Sequence, residues 1–211
     1  PPMPANPEEW IARGEAVTSV SGEQVQLDRP LDFLVVADHA EYLGAGSEIL
    51  AGNPLLMADP TLRRWYEMMR GTQQEAYAAS RELIAAYHEN RLPAALTDPR
   101  IGGRISRSVL ETQVATVERY NEPGHFTAFL GYEFTSVPQG NNLHRVVIFR
   151  DGAERVLRVN PFSAADSSDP EDLWTYLANY ERDTGGRALA IPHNGNVSNG
   201  MMFALETLEG A

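Results

Sequence analysis

The tightest constraint on the fold is one short segment near the N-terminus. Residues 31–37 are apolar except for Asp32, and their centre is Phe33-Leu34-Val35-Val36. A run this short and this apolar reads as a strand covered on both faces, as in a parallel sheet. It stops at Asp38-His39-Ala40-Glu41, a cluster of charged and titratable side chains. Parallel α/β sheets and barrels bind ligands at the carboxyl ends of their strands. A buried strand that ends in an acid and an imidazole therefore asks for an α/β fold with a site at that edge.

The rest of the sequence fits such a framework. Residues 72–90 place Ala76, Ala79, Leu83, Ala86 and Tyr87 at helical spacing, and residues 104–120 do the same with Ile105, Val109, Val114 and Val117. Pro54, Pro60, Pro93 and Pro99 mark the joints. A helical insertion is thus expected at about residues 45–122, packed by Trp65, Tyr66, Met68 and Met69. Residues 126–134, 143–149 and 187–191 read as strands, and Asp151-Gly152 as a hairpin turn into a further strand at 156–159. Asp169-Pro170 opens a helix that reaches about Asp183 and ends at Gly185-Gly186. Upstream, Asn6 is the expected cap of a helix starting at Pro7, and residues 17–27 read as a hairpin or loop turning at Ser21-Gly22. The late alternation of strand and helix makes the class α/β.

Composition narrows the chemistry. The chain of 211 residues contains no cysteine, which excludes disulfide frameworks, zinc ribbons and thiol nucleophiles. Any metal must be held by His, Asp or Glu, and there are five histidines to choose from. All the basic residues are arginines, and the net charge is −12 with no basic stripe, which argues against nucleic acid as a partner. No apolar run has the length of a membrane span, so no membrane partner is expected. An anionic small-molecule substrate stays compatible with the acidity, because a divalent cation can dominate the local field. The chain opens with Pro1-Pro2-Met3-Pro4 and no signal segment, which leaves cytoplasm, periplasm and exterior all open.

Three expected strands end in titratable residues, at Asp38-His39, Glu133 and His193, and a fourth begins beside His144. Carboxylate plus imidazole is the ligand set of hydrolytic zinc, manganese or iron. Strand ends converge in a sheet or barrel, so residues this far apart in sequence can meet. Each has an ordinary reading as well. Asp38 is a good N-cap with Glu41 three residues on, His144 suits an exposed edge, and Pro192-His193-Asn194-Gly195-Asn196 suits a plain turn. Glu133, following Phe129-Leu130-Gly131-Tyr132, is the hardest to explain without a partner, since an unpaired buried carboxylate is costly. His88, near a helix end, and His125, at the far end of its strand, fall outside this set. Ser136 and Ser163 lack a nucleophile elbow, and no phosphate-cradling glycine loop is present.

These residues carry a resemblance. Arg29-Pro30-Leu31-Asp32-Phe33, leading to Asp38-His39-Ala40-Glu41, resembles a block of the DUF3604 family. Gly131-Tyr132-Glu133-Phe134-Thr135, Asn142-Leu143-His144-Arg145 and Ile191-Pro192-His193-Asn194-Gly195-Asn196 resemble its later blocks, in the same order. The family is similar to the PHP (polymerase and histidinol phosphatase) metal-dependent hydrolases. That resemblance implies a distorted (β/α)7 barrel and a site for two or three divalent ions (Zn, Mn or Fe). It implies His39, Glu133, His144 and His193 as metal ligands, with Glu133 bridging two ions. Asp38 is then the partner behind His39, with Asp38 and Glu133 as the catalytic carboxylates, and Asn194 and Asn196 line the substrate pocket.

Two departures qualify it. A PHP protein opens with an HxH strand and closes with a DxH block, and neither motif occurs here. Residues 1–211 are therefore expected to form a single PHP-like domain that is an incomplete barrel, lacking its first and last strands. The expected function is a metal-dependent phosphoesterase. The alternatives are a catalytically incompetent binding domain with an incomplete metal site, and a sugar- or peptide-binding module that stacks ligands on Trp65, Tyr66 and Trp174.

Overall fold

A computed structural model describes residues 7–19, 21–208 and 210, so the expected cap at Asn6 lies outside the described residues. In chain order the elements are α1 (Pro7–Ala12), β1 (Val17–Thr18), β2 (Gln24–Val25), β3 (Phe33–Val35), α2 (Ala45–Leu50), α3 (Pro54–Met57), α4 (Pro60–Met69), α5 (Gln73–His88), α6 (Ala94–Thr97), α7 (Gly102–Tyr120), β4 (Thr127–Phe134), β5 (Arg145–Phe149), α8 (Ala153–Val156), α9 (Pro170–Thr184) and β6 (Ala188–Pro192). The fold is mixed α/β, and the described residues form no closed barrel. The chain divides into two compact units, Tyr42–Thr112 and the remainder. No described helix is long and apolar enough to cross a membrane.

The unit Tyr42–Thr112 is helical and covers most of the stretch expected as an insertion at about residues 45–122. Its proline joints work as the sequence suggests. Asn53 and Asp59 accept backbone N–H groups ahead of Pro54 and Pro60, and Thr72 and Glu75 close a capping box on α5. Ile49, Leu56, Leu62, Trp65, Ala79 and Leu96 are buried in its core, with Tyr66, Met68 and Met69 packed against them. Trp65 still finds a polar partner, since its Nε1–H donates to Glu82 at 2.9 Å.

The other unit is built on a four-stranded sheet in the order β3-β4-β5-β6. Only β3 and β4 run parallel; β4–β5 and β5–β6 are antiparallel, which corrects the expectation of a parallel sheet. The reason lies in the connections. Residues 135–144 are too few for a crossover helix, so β5 must return alongside β4. Between β5 and β6, α9 brings the chain back to the end of β5, where Arg187 pairs with Arg150. Asp169 caps α9 ahead of Pro170, and Gly185 ends it in the left-handed conformation, as expected. The expected strand at 156–159 is instead the helical turn α8. Glu118 accepts the Ala153 N–H at 2.8 Å and so supplies a side-chain acceptor at its start.

Alternation gives the sheet two unlike faces. Leu130, Tyr132 and Phe134 of β4 and Val147 and Phe149 of β5 point to one side and are buried. Phe149 packs there on Tyr180 of α9, with ring centroids 4.9 Å apart. The opposite face carries Phe33, Val35, Phe129, Val146, Ile148, Leu189 and Ile191, and no described layer covers it. Phe33 is 63% exposed, Leu189 52% and Ile191 48%. The strand expected to be covered on both faces is therefore open, because β3 is an edge strand lying partly on this bare face. Trp174 is 43% exposed, and its ring packs against the buried Arg145 guanidinium at 5.0 Å.

Two positions hold the sheet in register. Gly131 admits no side chain, since a Cβ there would meet Val147 O and Val35 Cγ2, each at 2.6 Å. Gly131→Ala is expected to cost roughly 1–3 kcal/mol by overpacking, read as a lower urea midpoint. Asp151 ties together the two ends of the connection between β5 and β6. Its side chain is 2% exposed and accepts from Tyr180 Oη at 3.0 Å, Arg187 N at 2.6 Å and Arg155 Nη1 at 3.0 Å. Burial pushes its carboxyl pKa up, but these donors outweigh burial and hold it below the ordinary value. Its contribution is thus present above the ordinary aspartate pKa and is lost as pH falls through the depressed folded value. Asp151→Ala is expected to destabilise the chain by about 2–4 kcal/mol at neutral pH, with a smaller penalty in strong acid, as chemical denaturation at several pH values would show.

Candidate metal centre

The last rungs of the ladders assemble the site. Beyond β3 the chain keeps pairing with β4: Glu133 N–H donates to Asp38 O at 2.8 Å, and Ala40 N–H donates to Glu133 O at 2.9 Å. This sets His39 directly beside Glu133. On the other side, His193 N–H donates to His144 O at 3.2 Å, which extends the β5–β6 pairing by one row. Alternation then aims Glu133, His144 and His193 at the bare face of the sheet.

The three side chains converge on one oxygen. His144 Nδ1 lies 2.9 Å from Glu133 Oε1, and His193 Nε2 lies 2.8 Å from the same atom. The other oxygen, Oε2, faces His39 Nδ1 at 3.1 Å. The Glu133 side chain is only 12% exposed, and His144 only 13%. A carboxylate can only accept, so each ring nitrogen facing it carries the proton. The second nitrogens, His144 Nε2 and His193 Nδ1, are buried and have no hydrogen-bond partner. Polar satisfaction is therefore incomplete around these two rings. Burial pushes the His144 pKa below the ordinary histidine value, against the opposing pull of Glu133 and with repulsion from His193 and His39 adding to it. This favours the neutral imidazole, the form that binds metals.

Ligand atoms of Glu133, His144 and His193 lie within 4.8 Å of one another, so this part-buried group could hold a metal ion. Two imidazoles and one carboxylate are a donor set that a divalent metal accepts.

The remaining expected residues fall at the margins. His39 touches Glu133 but is 62% exposed. Asp38 points elsewhere: its Oδ2 accepts from Gln113 Nε2 at 2.9 Å, and no helix begins at residue 39, so the capping role is not realised. Asn194 and Asn196 are exposed on the turn after His193, with Asn194 left-handed at φ 57°. His125 is exposed at the opposite end of β4. Ser136 and Ser163 are buried and bonded to Ser168 O and Asp166.

Sequence reasoning gave Thr135 no role and gave Glu41 only a place in the cap expected at Asp38. Thr135 Oγ1 lies 2.6 Å from His39 Nδ1, and Glu41 Oε1 accepts the N–H groups of Thr135 and Ala164 at 3.0 and 2.8 Å. Strand periodicity was the available signal, since Thr135 lies two residues after Glu133 and so shares its face.

A family model described as "Protein of unknown function (DUF3604)" matches residues 9–211. No curated protein and no solved structure matches the chain.

Titration calorimetry with Zn²⁺ tests the ligand group. Glu133→Ala and His193→Ala are expected to weaken binding by at least ~100-fold, since even outer partners of metal ligands are worth 10–100-fold. His125→Ala is expected to bind as the wild type does.

Proposed function

We propose that this chain, which belongs to the DUF3604 family, carries the metal site of a PHP-type metal-dependent hydrolase acting on phosphoesters. The observation that carries the reading is the convergence of His144 Nδ1 and His193 Nε2 on Glu133 Oε1. Glu133, His144 and His193 would hold the cation, and the opposite oxygen of Glu133 faces His39. A divalent cation bound there supplies Lewis-acid polarisation of a phosphoryl oxygen and acidifies a water. Glu133 contributes negative charge shared between both sides of the site. His144 and His193 contribute neutral donors fixed by the last rungs of the sheet. Asn194 and Asn196 offer exposed amides that can bind substrate oxygens beside the site.

The bare apolar face supports the barrel part of this reading. Phe33, Leu189 and Ile191 are the kind of surface that further strands of a closing sheet would cover. The same open face favours a second reading, a binding domain whose metal site is incomplete. Metal analysis and phosphoesterase assays on the natural full-length protein separate the two. The enzyme reading predicts bound divalent metal and activity, with Glu133→Ala losing roughly a thousandfold in rate. Equal metal content and equal activity in the variant would remove Glu133 from the chemistry, and metal without activity would favour the binding domain.

A further inference from the structure

Glu41 and Thr135 belong to the segments that build the site, yet the reading above gives them nothing to do. We propose that Thr135 is a positioning residue that fixes the His39 ring against Glu133. Its hydroxyl lies 2.6 Å from His39 Nδ1, the same nitrogen that faces Glu133 Oε2 at 3.1 Å. A lone pair on Nδ1 would face that carboxylate oxygen, so Nδ1 carries the proton and donates it to Thr135 Oγ1. Nε2 then keeps its lone pair. With its side chain 62% exposed, His39 is not held by packing; these two oxygens set the ring.

Thr135 is itself tied down. Its N–H donates to Glu41 Oε1 at 3.0 Å, and that oxygen also takes the Ala164 N–H at 2.8 Å. The other oxygen, Glu41 Oε2, is buried without a partner, so the carboxylate is kept in place although half of it goes unsatisfied. Glu41 follows His39 by two residues, which closes a circuit from His39 through Thr135 to Glu41 and back along the chain. The circuit leaves Nε2 as the ring nitrogen free to meet a cation or substrate. The ring geometry stands on its own, and only its chemical consequence rests on the metal-dependent reading.

Long-range ¹H–¹⁵N NMR of the metal-free chain tests this, with the His39 signals assigned from His39→Gln and recorded at roughly pH 8, where an ordinary histidine is neutral. Wild type and Thr135→Ser are expected to show the Nδ1–H form of His39 with a slowly exchanging ring proton. Thr135→Val keeps the β-branched shape and removes the hydroxyl. It is expected to exchange that proton roughly tenfold faster, with the ring nitrogens moving toward the mixture of a free imidazole. Thr135→Ala replaces it should the valine variant not fold. Unchanged exchange and tautomer in the variant, or an Nε2–H ring in wild type, would overturn the proposal. A parallel Zn²⁺ titration keeps the two claims apart. Wild type that shows the fixed ring but binds no zinc sinks the metal reading and leaves Thr135 its role. Zinc binding with an unaffected ring in Thr135→Val does the reverse.

Discussion

The site depends on one carboxylate that has been drawn out of water. Glu133 is 12% exposed at the end of the central strand β4, and among the described residues no arginine pairs with it. An ionised carboxyl in that position needs donors, and the neighbouring strands provide them as the imidazoles of His144 and His193 on one oxygen, with His39 lying 3.1 Å from the other. Buried charges in proteins are paired or bound to metals. Here the partners are soft and titratable, and two of their ring nitrogens are left without any bond of their own. A purely structural pairing would be served better by one bidentate arginine. Carboxylate and imidazole together instead make a ligand set.

The backbone makes this constellation inexpensive to assemble. The Asp38–Glu133 and His144–His193 rungs are ordinary ladder hydrogen bonds carried one row past the regular strands. No loop has to fold back to deliver a ligand. Gly131, two residues before Glu133, lets Val35 and the Val147 carbonyl approach the centre of the sheet closely. The sheet thus fixes the spacing of the site through contacts that touch no ligand.

Much of this was legible in the sequence, and the remainder failed for physical reasons. The cap at Asp169-Pro170 and the stop at Gly185 depend on local chemistry, so the helices could be placed from caps and period. Glu133, His144 and His193 could be singled out because a titratable residue next to a β-rich run is costly unless it has a purpose. The antiparallel return of β5 could be read from the shortness of residues 135–144, but that of β6 could not, because the long connection through α8 and α9 is brought back to β5 by tertiary hydrogen bonds of Asp151. The exposure of Phe33 was hidden too, since an apolar strand reads the same whether or not a layer covers it. The family resemblance implied Asp38 as the partner behind His39. Its neighbour His39 lies against Glu133, while Asp38 itself reaches Gln113.

The central claim is that Glu133, His144 and His193 hold a divalent cation. An anomalous-difference map from crystals of the natural protein grown with Zn²⁺, collected on either side of the zinc edge, tests it most directly. The account predicts one strong peak about 2.0–2.2 Å from a Glu133 oxygen and about 2.0–2.1 Å from one ring nitrogen each of His144 and His193. A zinc-replete crystal with no peak there, or with peaks only on exposed acidic side chains, would contradict it.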